Sequence, residues 1–269
     1  MRIKFLIPLG IFAICNATPV FGQDRDLAAL GVRAEAGDPA AQVELGHAYR
    51  RAGYGAAARE WYCRAAAADF PEGLFRCARD PGMLARASEL GHAPSALALG
   101  RSAEPDDPAR AARHYARAAE LGSGEGAYRA GFLAERRGER DVARAFWRRA
   151  LALGHWPAAN DLALSLLNDP DRPDEPGARE LLVRAARAGD QSARFNLAEL
   201  SAEDPALAYR LYALAGAGPN AGLRAAALDR LAALERVLPD DRISALRGEI
   251  AAELAVTIER ARRPADAPD

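Results

Sequence analysis

Apolar and polar positions along the chain follow a helical period, in short segments that end at glycine. The segment at residues 40–49 places Ala41, Leu45 and Tyr49 at i, i+4 and i+8, which predicts one buried stripe. The segment at residues 57–66 has the same period, with these buried positions: Ala58, Trp61, Tyr62 and Ala65. The two segments predict a helical hairpin, whose first helix we call A and whose second we call B.

This hairpin recurs along the chain. Each return is marked by a glycine that ends helix B: Gly37, Gly91, Gly122, Gly154, Gly189 and Gly218. The spacings are 54, 31, 32, 35 and 29 residues, and the segment at residues 68–70 supplies the turn missing from the longest one. A period near 33 residues predicts an all-α stack of hairpins, an architecture that serves mostly to bind other molecules.

Both ends of the stack are predicted to be caps. Residues 26–36 predict a lone first helix, and residues 221–237 predict a last helix A. A final helix, residues 240–260, has an apolar stripe that would cover the open end of the stack: Ile243, Leu246, Ile250 and Leu254. The repeat domain is therefore assigned to residues 23–260, and residues 261–269 to a charged, disordered tail.

The N-terminus has the pattern of a secretory signal peptide, residues 1–22. A short basic region containing Arg2 and Lys4 precedes an apolar stretch too short to span a bilayer. Cleavage is predicted after Gly22, with Ala17 as the alternative. Cys15 does not fit a lipoprotein signal, because bulky Ile14 precedes it. The sequence predicts an exported, periplasmic protein with no membrane span in the mature chain.

Charge and composition exclude some functions. The formal net charge is −1, so the basic face that nucleic-acid binding requires is not expected. Lys4 is the only lysine in the chain. Cleavage of the signal would leave no lysine for a Schiff base, a phosphate loop or a Ser-x-x-Lys acylation site.

Cys63 and Cys77 are the cysteines that remain after cleavage. They lie seven residues before and seven after Phe70, symmetrically about the turn between two antiparallel helices. In an oxidising compartment this placement predicts a disulfide. The alternative is two buried, unpaired cysteines.

The repeated pattern resembles the Sel-one-like repeat family, which is related to the tetratricopeptide repeats. The resemblance covers residues 34–218 and is carried by Ala41-x-x-x-Leu45–Gly46-x-x-Tyr49 followed by Ala58-x-x-Trp61–Tyr62-x-x-Ala65–Ala66. It implies a right-handed α/α solenoid of about six repeats with capping helices, a concave inner surface and a role as an adaptor or scaffold. The chain departs from the family pattern in a shortened second unit and a long, proline-rich link at residues 168–176.

The cysteine pair is similar to that of an exported, cysteine-rich branch of the family. In that branch a disulfide ties helix B to the next helix A, and members have been linked to penicillin binding or hydrolysis. The absence of lysine from the mature chain argues against Ser-x-x-Lys chemistry here.

No motif for catalysis, a cofactor or a metal is recognised. His92 and His155 are predicted to be exposed turn residues two units apart, and His114 to be a packing residue. No histidine pair has the His-x-x-x-His spacing of a helical zinc site.

The sequence therefore predicts a non-catalytic periplasmic scaffold that binds a protein, a peptide or a cell-wall polymer on its concave face. The candidate binding residues flank the packing stripe of the A helices: Glu44, His47, Arg129, Asp161, Arg194 and Asn196. Two alternatives stay open. One is an enzyme or binder acting on cell-wall material or β-lactams, and the other is an assembly factor for envelope polysaccharide export.

Overall fold

The computed structural model describes residues 23–262, with side-chain surroundings for residues 26–256. The predicted signal peptide and nearly all of the predicted tail lie outside the described residues. Within them the chain forms fifteen helices and no strand. It divides into two compact units that meet in sequence between Ala96 and Leu97.

The first unit contains a lone helix and two hairpins. Its helices are α1 (Gln23–Glu35), α2 (Pro39–Arg51), α3 (Gly55–Ala67), α4 (Pro71–Cys77) and α5 (Pro81–Glu89). The lone helix α1 packs on α2, as expected for a cap. Helices α4 and α5 have 7 and 9 residues, against 13 in each of α2 and α3, which confirms the predicted shortening of the second hairpin.

The second unit contains the remaining hairpins; α6 begins four residues before it. Its helices are α6 (Ala93–Ala103), α7 (Pro108–Glu120), α8 (Gly124–Arg136), α9 (Arg140–Ala152), α10 (Ala158–Leu167), α11 (Glu175–Arg187), α12 (Gln191–Glu199), α13 (Pro205–Gly216), α14 (Ala221–Leu234) and α15 (Asp240–Arg262). Each helix packs mainly on its neighbours in the sequence. The even-numbered helices, α2 to α14, are the A helices, and the odd-numbered helices from α3 to α13 are the B helices.

The turns after the B helices need a residue with positive φ. Five predicted turn glycines have φ between 79° and 95°: Gly37, Gly91, Gly122, Gly154 and Gly189. Asp69, with φ 54°, takes this place in the turn that has no glycine, as the sequence predicted. Gly218 differs, because its φ is not positive. The side chain of Gln191 packs against Gly218 and holds this turn by bonding Ala215 O at 2.7 Å and Asn220 N at 2.9 Å.

Several helices begin at an aspartate whose side chain accepts backbone N–H groups of the first turn. Asp107 and Asp204 do so before Pro108 and Pro205. At α11 the cap is Asp174, and Glu175 lies inside the first turn.

The long link before α11 is fixed by Asp169. Its carboxylate accepts the backbone N–H groups of Asp171 and Arg172 at 2.9 Å each, and it pairs with the Arg144 guanidinium of α9 at 2.5 Å. These hydrogen bonds, that of Arg172 first, lower the pKa of Asp169 to about 2. The link is therefore held to α9 by an ionised carboxylate.

Two positions of the A helices, counted from the preceding turn residue, are small and buried. The fourth residues of α2 to α12 are Ala41, Gly73, Ser95, Gly126, Ala158 and Ala193, and the ninth residues, outside short α4, are Gly46, Gly100, Gly131, Ala163, Ala198 and Ala227. In α14 the fourth residue, Gly222, is exposed. The small, buried residues let helices approach more closely than larger side chains would allow.

At the ninth position, glycine lies against a large side chain of the following B helix. A Cβ added to Gly46 or Gly100 would lie 2.5 Å from the ring of Tyr62 or Tyr115. A Cβ added to Gly131 would lie 2.6 Å from the indole nitrogen of Trp147. In these three hairpins, therefore, the ring of the B helix occupies the space that a Cβ on the A helix would need.

At the fourth position, glycine brings the next A helix onto the preceding B helix. A Cβ on Gly73 would lie 2.7 Å from the Cβ of Ala65. The predicted disulfide joins the same two helices: Cys63 of α3 is bonded to Cys77 of α4, with their Cα atoms 4.9 Å apart. The structure therefore confirms the pairing predicted from the symmetry about Phe70.

The last helix closes the second unit as predicted. Ile243, Leu246 and Ile250 are buried against Tyr209 and Leu214 of α13, and Leu254 packs beside them. Leu231 and Leu234 of α14 complete this cluster. The final helix therefore covers apolar surface of the last hairpin.

We predict that Gly100→Ala destabilises the protein by about 1–3 kcal/mol, because the new methyl group displaces the Tyr115 ring. The matched control is Gly248→Ala in α15, where a Cβ meets nothing within 4 Å and the helix gains about 0.5–1 kcal/mol. Urea unfolding followed by circular dichroism measures both. Equal free energies of unfolding for the two variants would contradict the packing described.

Loss of the disulfide is expected to cost about 3 kcal/mol, the chain-entropy value for a loop of this size. The variant Cys63→Ala/Cys77→Ala should therefore unfold at a lower temperature than the oxidised protein. The unmutated protein in reducing agent should match the variant. If thermal unfolding is the same with and without reductant, the bridge does not contribute to stability.

Candidate functional site

Most of the candidate binding residues share one repeat position. Glu44, Arg129, Asp161 and Asn196 are each the seventh residue after a turn residue, as is Arg76 in α4. Arg194 is the fifth residue after Gly189. We call the polar surface of the A helices around the seventh position the A face, and describe it separately in each unit.

In the first unit the A face is centred on Glu72 of α4. Its carboxylate accepts from Arg76 Nε at 2.6 Å and contacts His92 Nε2 at 2.8 Å. His47 Nε2 of α2 lies 3.7 Å away, beyond hydrogen-bonding distance. Burial raises the pKa of Glu72, but the hydrogen bonds from Arg76 and His92 outweigh it and lower the pKa overall.

Glu44 lies apart from this cluster. It is exposed and lines an open groove of about 790 Å³ between α1 and α2. Arg33 and Leu30 line the side formed by α1, and Ala48 and Arg51 the side formed by α2. The sequence placed Glu44 and His47 together on helix A, and the structure directs them to different surroundings.

His92 is not the exposed turn residue that the sequence predicted. Its side chain is 13 % exposed, with Nδ1 2.8 Å from Ser95 Oγ and Nε2 on Glu72. His155 is also half-buried, packed against the Tyr128 ring at 5.0 Å. Both predictions failed because the turn folds back over the A helix.

The row Ser95–His92–Glu72 has the order of a nucleophile, a base and an orienting carboxylate. Ser95, however, is 0 % exposed, at the small fourth position of α6. A nucleophile must reach the substrate, and this hydroxyl cannot do so in this conformation. The three side chains instead tie the start of α6 to α4.

In the second unit the A face begins with linked ion pairs. Glu125 accepts from Arg101 at 2.7 Å and from Arg129 at 2.9 Å. Arg129 also lies 3.4 Å from Glu104, which accepts the Tyr115 hydroxyl at 2.5 Å. The candidate Arg129 is thus held by two carboxylates.

Further along this unit the A face is built from amides and one carboxylate. Asn196 of α12 donates to Asn160 of α10 at 2.7 Å, and Asn160 donates to Asp161 at 3.3 Å. Burial and, next, the neighbouring Asp161 raise the pKa of Tyr128 to about 12. The structure therefore brings the candidates Asp161 and Asn196 together through Asn160.

Arg194 does not join this network. Its Nε donates to the backbone oxygen of Ala186 at 3.2 Å, so it ties α12 to the end of α11. Arg194 is a link between helices in this structure, although the sequence suggested a ligand contact.

Sequence reasoning missed the glutamates of the A face. Glu72 and Glu125 each precede an arginine of the seventh position by four residues, at the third position after a turn. The repeated Glu-x-x-x-Arg spacing is typical of i,i+4 ion pairs and could have identified them. Within residues 23–262 no group of three or more His, Cys, Asp or Glu side chains is placed to hold a metal ion.

Known proteins resemble this chain in fold rather than in sequence. No protein-family model matches it, and no curated protein matches its sequence. A protective antigen of uropathogenic Escherichia coli with an SLR fold superposes with a TM-score of 0.74 at 17 % identity, over 91 % of this chain and 60 % of the antigen. A Sel1 repeat protein from Oxalobacter formigenes gives a TM-score of 0.50 at 22 % identity, over 74 % of this chain and 81 % of that protein.

The protein therefore has the Sel1-like repeat fold, an all-α solenoid. This confirms the predicted fold class and, at the level of the fold, the resemblance to Sel-one-like repeats. The chain spans 60 % of the length of the antigen. None of the helices in the described residues is long and apolar enough to cross a membrane.

We predict that Glu72→Gln lowers the free energy of unfolding by about 1–3 kcal/mol, because His92 and Arg76 lose a charged acceptor. Glu60→Gln is the matched control, since Glu60 is exposed on α3 of the same unit. Thermal and urea unfolding provide the comparison. If both variants were as stable as the parent, the Glu72 cluster would have no structural role.

Proposed function

We propose that the protein is a non-catalytic scaffold that binds a protein or peptide partner on the A face of its second unit. The observation that carries this proposal is the polar row Asp161–Asn160–Asn196, which crosses two consecutive A helices. Repeat folds of this class serve mainly to hold other molecules, which supports a binding role.

The chemistry of this row suits an extended polar chain. Asp161 and Asn196 are half-buried, so each has solvent-facing hydrogen-bonding capacity beyond the bonds already described. Asparagine side chains can pair with a peptide backbone, which offers one donor and one acceptor per residue. Linked ion pairs around Arg129 lie on the preceding A helix, α8, and would favour a partner with polar side chains.

We further propose that the protein works in the periplasm after export. The basic and apolar pattern of residues 1–22 supports export, and the Cys63–Cys77 disulfide suits an oxidising compartment. A cell-wall polymer is an alternative partner, which the capture experiment would reveal by yielding glycan instead of protein.

Affinity capture tests the binding role. The purified protein is crosslinked in a native periplasmic extract, and what it retains is identified by mass spectrometry. We expect the parent to capture a reproducible set of proteins. The triple variant Arg129→Ala/Asp161→Ala/Asn196→Ala should capture at least tenfold less of these proteins.

The control carries Arg113→Ala and Glu180→Ala, two exposed side chains on B helices, and like the triple variant it leaves the net charge unchanged. Circular dichroism first establishes that both variants are folded. Capture that is equal for the triple variant, the control and the parent would overturn the assignment of the A face.

A further inference from the structure

In the second unit, tyrosine hydroxyls from B helices share a carboxylate oxygen with an arginine. Tyr115 donates to Oε2 of Glu104 at 2.5 Å, and Arg129 lies 3.4 Å from the same oxygen. The Tyr115 ring lies over Gly100, so its hydroxyl emerges on the A-helix side of the hairpin. The glutamate thus satisfies a buried hydroxyl and a guanidinium together.

The same arrangement occurs in the hairpin of α12 and α13. Tyr212 holds the repeat position of Tyr115 and donates to Oε1 of Glu199 at 2.7 Å. Arg230 of α14 donates to the same oxygen at 2.8 Å. Twice, therefore, the chain places its own carboxylate between a tyrosine and an arginine.

The first unit has the tyrosine and the arginine without that glutamate. Tyr62 lies over Gly46 as Tyr115 lies over Gly100, and Arg76 holds the repeat position of Arg129. Arg50 occupies the position that corresponds to Glu104. Glu72 does not substitute for it, because its oxygens bond Arg76 and His92 while the Tyr62 hydroxyl bonds nothing.

Two buried polar atoms are consequently left without a partner. Tyr62 is 4 % exposed and its hydroxyl has no hydrogen bond among the described residues. His47 Nε2 is buried and unbonded in the same part of the chain, and the two rings meet edge to face at 5.5 Å. A buried hydroxyl that donates to no acceptor is unfavourable, so this place favours a group that accepts hydrogen bonds.

The charges around these atoms favour an anion. Burial and then Arg76 lower the pKa of His47, and Arg50 and Arg51 lower it further. Glu72 opposes them, but its charge is already shared between Arg76 and His92. Three arginines and one glutamate thus act on His47, so positive charges outnumber the negative one.

We propose that Tyr62, His47 and Arg76 form a receptor for one carboxylate side chain of a bound acidic peptide segment. The ligand carboxylate takes the place that Glu104 holds beside Tyr115 and accepts from the Tyr62 hydroxyl, from His47 Nε2 and from the Arg76 guanidinium. This inference rests on the proposed function and names the chemistry of the partner.

Entry requires only local movement of side chains. The His47 side chain of A helix α2 is 30 % exposed, and the Arg76 side chain of A helix α4 is 32 % exposed. A carboxylate that arrives from solvent meets the Arg76 guanidinium and reaches the two buried atoms as the exposed side chains shift.

The test is a pair of peptides, Ac-Ala-Glu-Ala-Glu-Ala-NH2 and the same peptide with glutamine for glutamate, titrated into the purified protein and followed by NMR. We expect the acidic peptide to bind at least tenfold more tightly and to shift the signals of His47 and Tyr62. Tyr62→Phe should lose roughly tenfold in affinity, the factor for one hydrogen bond to a charged group.

Tyr115→Phe is the matched control, because the Tyr115 hydroxyl already donates to Glu104. This variant should bind the acidic peptide as tightly as the parent does. Equal affinity for the two peptides, no binding of either, or the same loss in both variants would overturn the receptor. So would a crystal structure with the acidic peptide in which no peptide carboxylate lies within hydrogen-bonding distance of the Tyr62 hydroxyl.

The capture experiment, repeated with Tyr62→Phe, distinguishes failure of the carboxylate receptor from failure of the scaffold role. If capture of partners depends on Arg129, Asp161 and Asn196 but not on Tyr62, the receptor is wrong and the scaffold stands. If capture depends on none of these side chains, both proposals fail.

Discussion

The structure depends on the contact between a small residue of each A helix and a large side chain of the B helix that follows. Gly46 and Gly100 lie directly against the rings of Tyr62 and Tyr115, and alanine takes the same repeat position in later hairpins. A Cβ at these glycines would overlap a ring, so a larger residue there would force the ring or the helix to shift.

This packing leaves the polar surface of the A helices available for other interactions. In the second unit that surface includes ion pairs around Glu125 and an amide row that ends at Asn196. In the first unit it is centred on Glu72, beside a tyrosine hydroxyl without a partner. The B helices hold the fold with their apolar side chains, while the A helices carry the residues that can meet a ligand.

The helices and their packing could be predicted because they follow local rules. Helical periodicity located the hairpins and the stripe of the last helix, and symmetry about Phe70 located the disulfide. The candidate site was predicted only in part. Asp161 and Asn196 are joined through Asn160, whereas the roles of His92 and Arg194 depend on partners in neighbouring helices, Glu72 of α4 and Ala186 of α11. Periodicity contains no information about such side-chain partners, or about which carboxylate a tyrosine will meet.

If the A helices bind the partner while the B helices maintain the fold, binding should protect the A helices selectively. Hydrogen–deuterium exchange on the purified protein, with and without a captured partner, measures this protection. We expect slower exchange on binding in α8, α10 and α12, with little change in α9 and α11. Protection confined to the B helices would show that the A helices are not the binding surface.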